Sequence, residues 1–222
     1  MKREIFLTAD GSSTIRIESI NEHYHSVHGA LQESKHVFIR NGLECVKQKK
    51  RIRIFELGFG TGLNALLSAQ FSEDYEKDIE YTGIEAYPVE VDLIAQLNYP
   101  NFVSNTLKEM YCMMHQLSWN ELHVLSSKIK FTKIKEKMEK WDGPRNAFDI
   151  VFFDAFGPRV QGELWQLDIL RKIHSTLDFG GIFVTYCAKG QLKRDLLALG
   201  FQVESLPGPP GKREMTRAIK RD

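Results

Sequence analysis

The segment Glu56-Leu57-Gly58-Phe59-Gly60-Thr61-Gly62-Leu63-Asn64 constrains this chain more than any other, because three alternate glycines follow directly on an apolar run at residues 52–57. A buried strand that ends in such a loop turns tightly through residues free to adopt positive φ. The helix that follows then opens with unpaired amides facing whatever lies above the loop. Nucleoside ligands are commonly held in this way. A dinucleotide site reads G-x-G-x-x-G, which this loop does not match, and no lysine follows as a P-loop requires.

The chain has 222 residues, a formal net charge of +1 and 42% hydrophobic residues. That length fits one α/β domain, residues 1–222, better than two. The charge balance excludes a disordered acidic chain and a uniformly basic one, and names no partner. Cys45, Cys112 and Cys187 are odd in number and widely spaced, against a disulfide framework or a Cys-rich zinc site. A reducing cytoplasm is the expected location. The first residues turn polar by Asp10, unlike a signal peptide, and no apolar run is long enough to span a membrane.

Residues 5–8 and 14–18 predict two short strands joined by a hairpin loop, and residues 27–46 have helical spacing. Residues 1–50 are thus an N-terminal hairpin and helix. Further strands are predicted at 79–84, 129–134, 148–153, 181–186, 201–205 and 215–219, with helical stretches between them. This alternation predicts a mostly parallel, seven-stranded sheet covered on both faces. Residues 89–127 are too long for a plain crossover and are expected to form an insertion of two or three short helices. Its methionines Met110, Met113 and Met114 are expected to fill core rather than line a pocket.

The loop itself reads E-x-G-x-G-x-G, the pattern that methyltransferases use for S-adenosylmethionine, so Gly58, Phe59, Gly60, Gly62 and Asn64 are candidate cofactor residues. Glu85 closes a predicted strand about 20 residues beyond the loop, the offset of a ribose-binding carboxylate. One carboxylate can accept from both ribose hydroxyls. Glu56 ends the first core strand, placed either to receive the amino group of the methionine moiety or to brace the loop. Asp154 ends the apolar strand 148–153 and opens Asp154-Ala155-Phe156-Gly157-Pro158. Ligands of open α/β sheets bind outside the carboxyl ends of the strands, so Asp154 is expected to face the same cleft. There it would orient an amine and favour the positive charge developing on nitrogen. An aspartate in this position also suits a helix cap; catalysis is the preferred reading.

The chain resembles the methyltransferase domain of the bacterial MnmC-type tRNA-modifying enzymes. The resemblance runs from about Phe6 to Ile219. It is carried by Tyr24-His25-Ser26, Gly29-Ala30, Glu33-Ser34 and Val37-Phe38, then ELGFGTGLN, DAFGPR and ELW between Asp154 and Trp165, Thr185-Tyr186-Cys187-Ala188, and Gly211-Lys212-Arg213-Glu214-Met215. It implies a Rossmann-like class I methyltransferase fold, S-adenosylmethionine as cofactor and tRNA as partner. The implied reaction is N-methylation of 5-aminomethyl-2-thiouridine at the wobble position to 5-methylaminomethyl-2-thiouridine. The bifunctional members carry an FAD-dependent oxidase domain, which has no counterpart in this sequence, so a separate oxidase is expected to act upstream. Where the family commonly shows Gly-Asp near the adenine, this chain has Lys135-Glu136, and Glu136 is the candidate substitute.

By the same resemblance, Tyr24, Ser26, Phe156, Trp165, Lys212 and Arg213 are candidate substrate residues. Trp165 offers either a stacking surface for the target base or a packing side chain. Two basic clusters, Lys47 to Arg53 and Lys212 to Arg221, are candidates for phosphate contact, with Lys212, Arg213 and Arg217 preferred. His23, His25 and His28 lack a second ligand cluster, so no metal is expected. Two other functions share these features: an aminopropyltransferase of the spermidine-synthase kind, and an RNA-binding module that keeps a cofactor site without catalysis.

Overall fold

In a computed structural model, which describes residues 2–221, the amino-terminal region forms strands β1 (Arg3–Leu7), β2 (Ser13–Ile17) and β3 (Glu22–His23). They make a three-stranded antiparallel sheet in place of the expected hairpin. The loop between β1 and β2 then caps the next helix, α1 (Ala30–Ser34). Ser12 Oγ accepts from the amides of Ala30 and Leu31 at 3.2 and 3.3 Å, and Asp10 accepts from that of Gln32 at 2.9 Å. These are the amides that a helix start leaves without partners. The predicted helix at 27–46 is broken: α1 passes into a π-helical stretch, Lys35–Arg40, and a 3-10 turn at Leu43–Val46. Gly42 separates the two, lying so close to the Phe38 carbonyl that a side chain has no room.

The central sheet contains β4 (Arg51–Leu57), β5 (Asp78–Glu85), β6 (Leu122–Val124), β7 (Ile129–Lys135), β8 (Phe148–Phe153), β9 (Leu177–Thr185), β10 (Phe201–Pro207) and β11 (Glu214–Lys220). Their order is β10-β11-β9-β8-β4-β5-β7-β6. The five strands from β9 to β7 are parallel, while β11 and the edge strand β6 run antiparallel to their neighbours. The sheet therefore has eight strands rather than seven. The extra one, β6, was hidden in the predicted insertion because it is three residues long and its apolar side chains, Leu122 and Val124, are exposed. The rest of that region holds α3 (Val91–Ile94), a 3-10 turn at Tyr99–Phe102 and α4 (Asn105–Gln116). Met110 and Met114 are buried in the core, and Met113 is exposed.

Alternation along the central strands sorts their side chains onto two faces. Ile52, Ile54, Tyr81, Phe131, Ile150 and Phe152 pack with α1, α4 and helix α2 (Leu63–Tyr75). Phe55, Leu57, Ile84, Val151, Phe153 and Phe183 pack with α5 (Leu167–Thr176) and α6 (Gly190–Ala198). The buried Asp149 on β8 is compensated as burial requires: Lys49 approaches it at 2.5 Å, and Arg53 binds it through Nη2 at 2.8 Å and through its amide at 2.8 Å.

Register is what builds the site. Leu57 pairs with Ile84 on one side and with Phe153 on the other. The residues that follow, Gly58, Glu85 and Asp154, are consequently level with one another at the carboxyl edge. The chain order reverses between β4 and β8, and such a switch point opens a crevice in α/β sheets.

Candidate active site

A cleft of about 650 Å³ opens at this edge, within the roughly 300–1,000 Å³ usual for small-ligand sites. Its floor is the glycine loop. Gly58, Gly60 and Gly62 adopt φ of 91°, 49° and 72°. A side chain on Gly58 would strike the Asp154 carbonyl, and one on Gly60 would press on the Tyr24 ring at 3.1 Å. The loop is pinned to β5 by the amides of Gly58 and Phe59, which donate to the Ile84 carbonyl at 3.0 and 3.1 Å.

Glu85 lines the cleft and accepts from the amide of Gly60 at 3.0 Å and from that of Tyr87 at 2.9 Å. Each oxygen of an ionised carboxylate keeps a second acceptor position. Glu136 lines the same end of the cleft, beside the buried Met138.

Asp154 lies at the centre, half-buried, and accepts from Asn64 Nδ2 at 2.8 Å. Burial pushes its carboxyl up to about 7; the charge of Glu33 adds to the rise, while Asn64 and Lys212 oppose it. Below the loop, the same Asn64 nitrogen donates to Glu56 Oε1 at 2.8 Å, and Tyr81 donates to Glu56 Oε2 at 2.6 Å. Glu56 is 1% exposed and its carboxyl is held well above the usual range by that burial. Of the two roles open to it, the geometry matches the brace under the loop.

The roof comes from the amino-terminal region. Tyr24 lies edge-on to Phe156 at 5.2 Å and Ser26 lines the cleft beside it. Burial pushes the Tyr24 hydroxyl up to about 12 and holds the enclosed His25 neutral, near 4. His25 faces Thr14 and Tyr99 rather than a set of ligands. Among the described residues, no group of three or more His, Cys, Asp or Glu is arranged to hold a metal ion.

Several candidates sit elsewhere than expected. The Phe59 side chain turns into the core, packing on His115, Trp119 and Phe131. Gly62 and Asn64 likewise support the loop from behind rather than lining the cleft. Trp165 is 7% exposed, packs on Phe153 and donates through Nε1 to the Phe156 carbonyl at 2.8 Å, so it is a packing side chain and not a stacking platform. Arg217 is tied to Glu204 at 2.7 Å and to Cys45 Sγ at 2.8 Å, and Lys220 is buried against the Leu177 carbonyl. Lys49 and Arg53 are committed to Asp149. The two clusters are thus partly consumed by internal pairs. Lys212 lines the cleft, whereas Arg213 is exposed just outside it.

Three participants escaped the sequence reading as site residues. Glu33 is buried, accepts from the Ser26 amide at 2.8 Å and from Lys212 Nζ at 2.5 Å, and lines the cleft. Tyr186 carries the Lys212 ammonium over its ring at 3.6 Å and donates to the Ala155 carbonyl at 2.8 Å. Arg3 ties β1 to the segment after β5, bonding Glu90 at 2.7 Å and the carbonyls of Pro88 and Tyr87. Glu33 and Tyr186 lie within motifs of the resemblance; Arg3 carries no local signal.

The residues present fit S-adenosylmethionine: a glycine loop at positive φ whose Gly58 and Gly60 line the cleft, a strand-end carboxylate with free acceptor positions, and a central carboxylate facing the same space. A family model described as S-adenosyl-L-methionine-dependent methyltransferase matches residues 98–221. The chain is 31% identical over 206 residues to the tRNA 5-methylaminomethyl-2-thiouridine biosynthesis bifunctional protein MnmC of Marinomonas sp., covering 87% of this chain and 30% of that one. It is 29% identical over 212 residues to the protein of the same name from Aromatoleum aromaticum, covering 90% and 33%. It thus spans about a third of the length of the curated relatives it matches. The crystal structure of MnmC2 from Aquifex aeolicus superposes with a TM-score of 0.77 at 28% identity, covering 98% of this chain and 70% of that one. No helix among the described residues is long and apolar enough to cross a membrane. The model match spans more than half of the chain, which therefore belongs to this family of S-adenosyl-L-methionine-dependent methyltransferases.

Proposed function

We propose that this protein methylates the exocyclic primary amine of 5-aminomethyl-2-thiouridine at the wobble position of tRNA, giving 5-methylaminomethyl-2-thiouridine. The observation that carries the reading is Asp154: a half-buried carboxylate at the centre of the cleft, fixed by Asn64 and level with the cofactor loop. The names of the relatives supply the substrate class. An upstream FAD-dependent oxidase would deliver the free aminomethyl group.

S-adenosylmethionine, when bound, supplies an electrophilic methyl group on a sulfonium. Glu85 would accept from the ribose hydroxyls, Glu136 would stand near the adenine, and the Gly58 and Gly60 backbone would allow close approach. Asp154 would hold the amine by hydrogen bond and favour positive charge on its nitrogen. An alkylamine arrives protonated at neutral pH, and a carboxylate held near 7 can take up that proton and release it to solvent. Tyr24, Phe156 and the Tyr186 ring enclose the acceptor side of the cleft. Enclosure and orientation together supply positioning, a large source of acceleration.

The test is nucleoside mass spectrometry of tRNA from a strain lacking this protein. Accumulation of the 5-aminomethyl nucleoside, reversed by the gene but not by an Asp154→Asn variant, is expected. An unchanged nucleoside profile would overturn the substrate assignment.

A further inference from the structure

A second concavity adjoins the active cleft, sharing Glu22, Gly157, Tyr186 and Lys212 with it. It lies over the β8, β9 and β11 side of the sheet, the opposite side of Asp154 from Glu85 and Glu136. Three loops converge there. Arg159 comes from the segment after β8, Lys189 from the turn between β9 and α6, and Arg213 from the turn leading into β11. All three are exposed, and none has an ion-pair partner among the described residues.

This distinguishes them from the basic residues that are paired inside the fold. Lys49, Arg53, Arg217 and Lys212 are spent on internal carboxylates. Of the acids lining the groove, Glu214 is neutralised by Lys193 at 2.8 Å, leaving Glu22 opposite the three free cations. Lys189 also stands at the start of α6, which has no side-chain cap, so the positive end of that helix opens beside the groove.

The groove is anchored to the roof of the cleft. Gly211, at φ 83°, lies against the His28 ring with no room for a side chain, joining the turn that carries Lys212 and Arg213 to the 24–28 segment. A polyanion seated here would run past the mouth of the cleft beside Tyr186.

We propose that Arg159, Lys189 and Arg213 form the binding groove for the phosphate backbone of the RNA strand flanking the acceptor nucleotide. The proposal rests on the reading of an RNA substrate given above. Its chemistry is that of a single-stranded backbone tracked by separated cations while one base is turned into a pocket. Basic side chains on three separate loops, lining one groove and open to solvent, suit a flexible strand rather than one rigid phosphate.

The experiment measures affinity for an anticodon stem-loop RNA as a function of salt, for the wild type and for an Arg159→Ala/Lys189→Ala/Arg213→Ala variant, with S-adenosylhomocysteine affinity as the control for folding. Each cation lost should make the slope of log affinity against log salt shallower by about 0.7, so about two units in all, with affinity down on the order of ten- to a hundredfold near 0.1 M salt. Binding of S-adenosylhomocysteine should be unaltered. If the wild type binds RNA with a steep slope and the triple variant matches it, the groove assignment falls while the RNA reading stands. If the wild type shows no salt-dependent RNA binding, both fall. A charge-restoring Arg159→Lys/Arg213→Lys variant should recover most of the slope, and failure to do so would also overturn the assignment.

Discussion

Asn64 Nδ2 lies 2.8 Å from Asp154 Oδ2, and the same nitrogen donates to the buried Glu56. Asn64 is the second residue of the helix that the glycine loop begins. The bond therefore ties the loop to the acid at the end of the neighbouring strand. Gly58 packed under the Asp154 carbonyl makes a second tie. The acid and the loop form one preorganised unit, the arrangement in which electrostatic stabilisation costs least at the moment of reaction.

Asn64→Ala should show both ends of that link. Glu56 would lose one of its two donors while buried, costing about 1–3 kcal/mol, visible as a lower denaturation midpoint. Asp154 would lose the hydrogen bond that restrains its carboxyl, so the acid limb of the kcat/KM profile should move to higher pH. A variant that changes stability but leaves the acid limb in place would separate Asn64 from Asp154.

Asp154→Asn should reduce turnover by roughly ten- to a thousandfold, the scale of lost charge stabilisation in a sheltered site. It should also change stability with a definite sign. The folded carboxyl is raised to about 7, so the native state binds a proton that the unfolded chain releases near 3.9. That contribution is fully present below about pH 4 and is lost as pH rises through 7. Relative to the wild type, Asp154→Asn should thus be more stable at pH 8 than at pH 5, read as a difference in melting temperature. Equal differences at both pH values would mean that the carboxyl is not raised.

The cofactor half of this site was legible because its signal is local: a loop whose glycines are adjacent in sequence, and carboxylates at the ends of apolar runs. Gly58, Glu85 and Asp154 could be expected at one edge from strand periodicity alone. What lay beyond reach was which way each side chain turns. Phe59 sits within the motif yet faces the core, and Trp165 closes a motif yet spends its indole N–H on a backbone carbonyl. Glu33 and Lys212 are 179 residues apart and meet only because the Asp10 and Ser12 caps hold α1 over the sheet. The strand β6 escaped because three residues with exposed apolar side chains carry no usable period. Pairing of arginines on alternate strand faces, as at Arg53 and Arg217, is equally invisible in a run of basic letters.

Gly58→Ala and Glu85→Gln should fail in different ways. The added methyl at Gly58 meets the Asp154 backbone in a left-handed conformation, so a loss of roughly 1–3 kcal/mol in stability is expected together with weaker cofactor binding. Glu85→Gln keeps the shape and one acceptor oxygen but loses the charge. One of the Gly60 and Tyr87 amides loses its acceptor, so the melting temperature should fall modestly while S-adenosylhomocysteine affinity falls by about tenfold or more. Calorimetry and thermal melts on both variants check this; unchanged affinity in folded Glu85→Gln would remove Glu85 from the cofactor site.

The Glu33–Lys212 pair offers a test in which two substitutions must act in opposite directions. Asp154 faces Glu33 from α1, Lys212 from the turn before β11, Asn64 from α2 and Glu56 from β4, with Tyr186 near by. Glu33 raises its carboxyl and Lys212 lowers it. Lys212→Met removes the cation and leaves Glu33 without its partner, so the acid limb of kcat/KM should move up by about half to one pH unit. Glu33→Gln removes the anion and leaves the cation, so the limb should move down by a similar amount. The double variant should return close to the wild-type profile, because each change cancels the other's electrostatic effect. The pH dependence of kcat/KM reports groups of the free enzyme, which makes it the right measurement. A shift of the same sign in both single variants, or none in either, would mean that the titrating group is not Asp154.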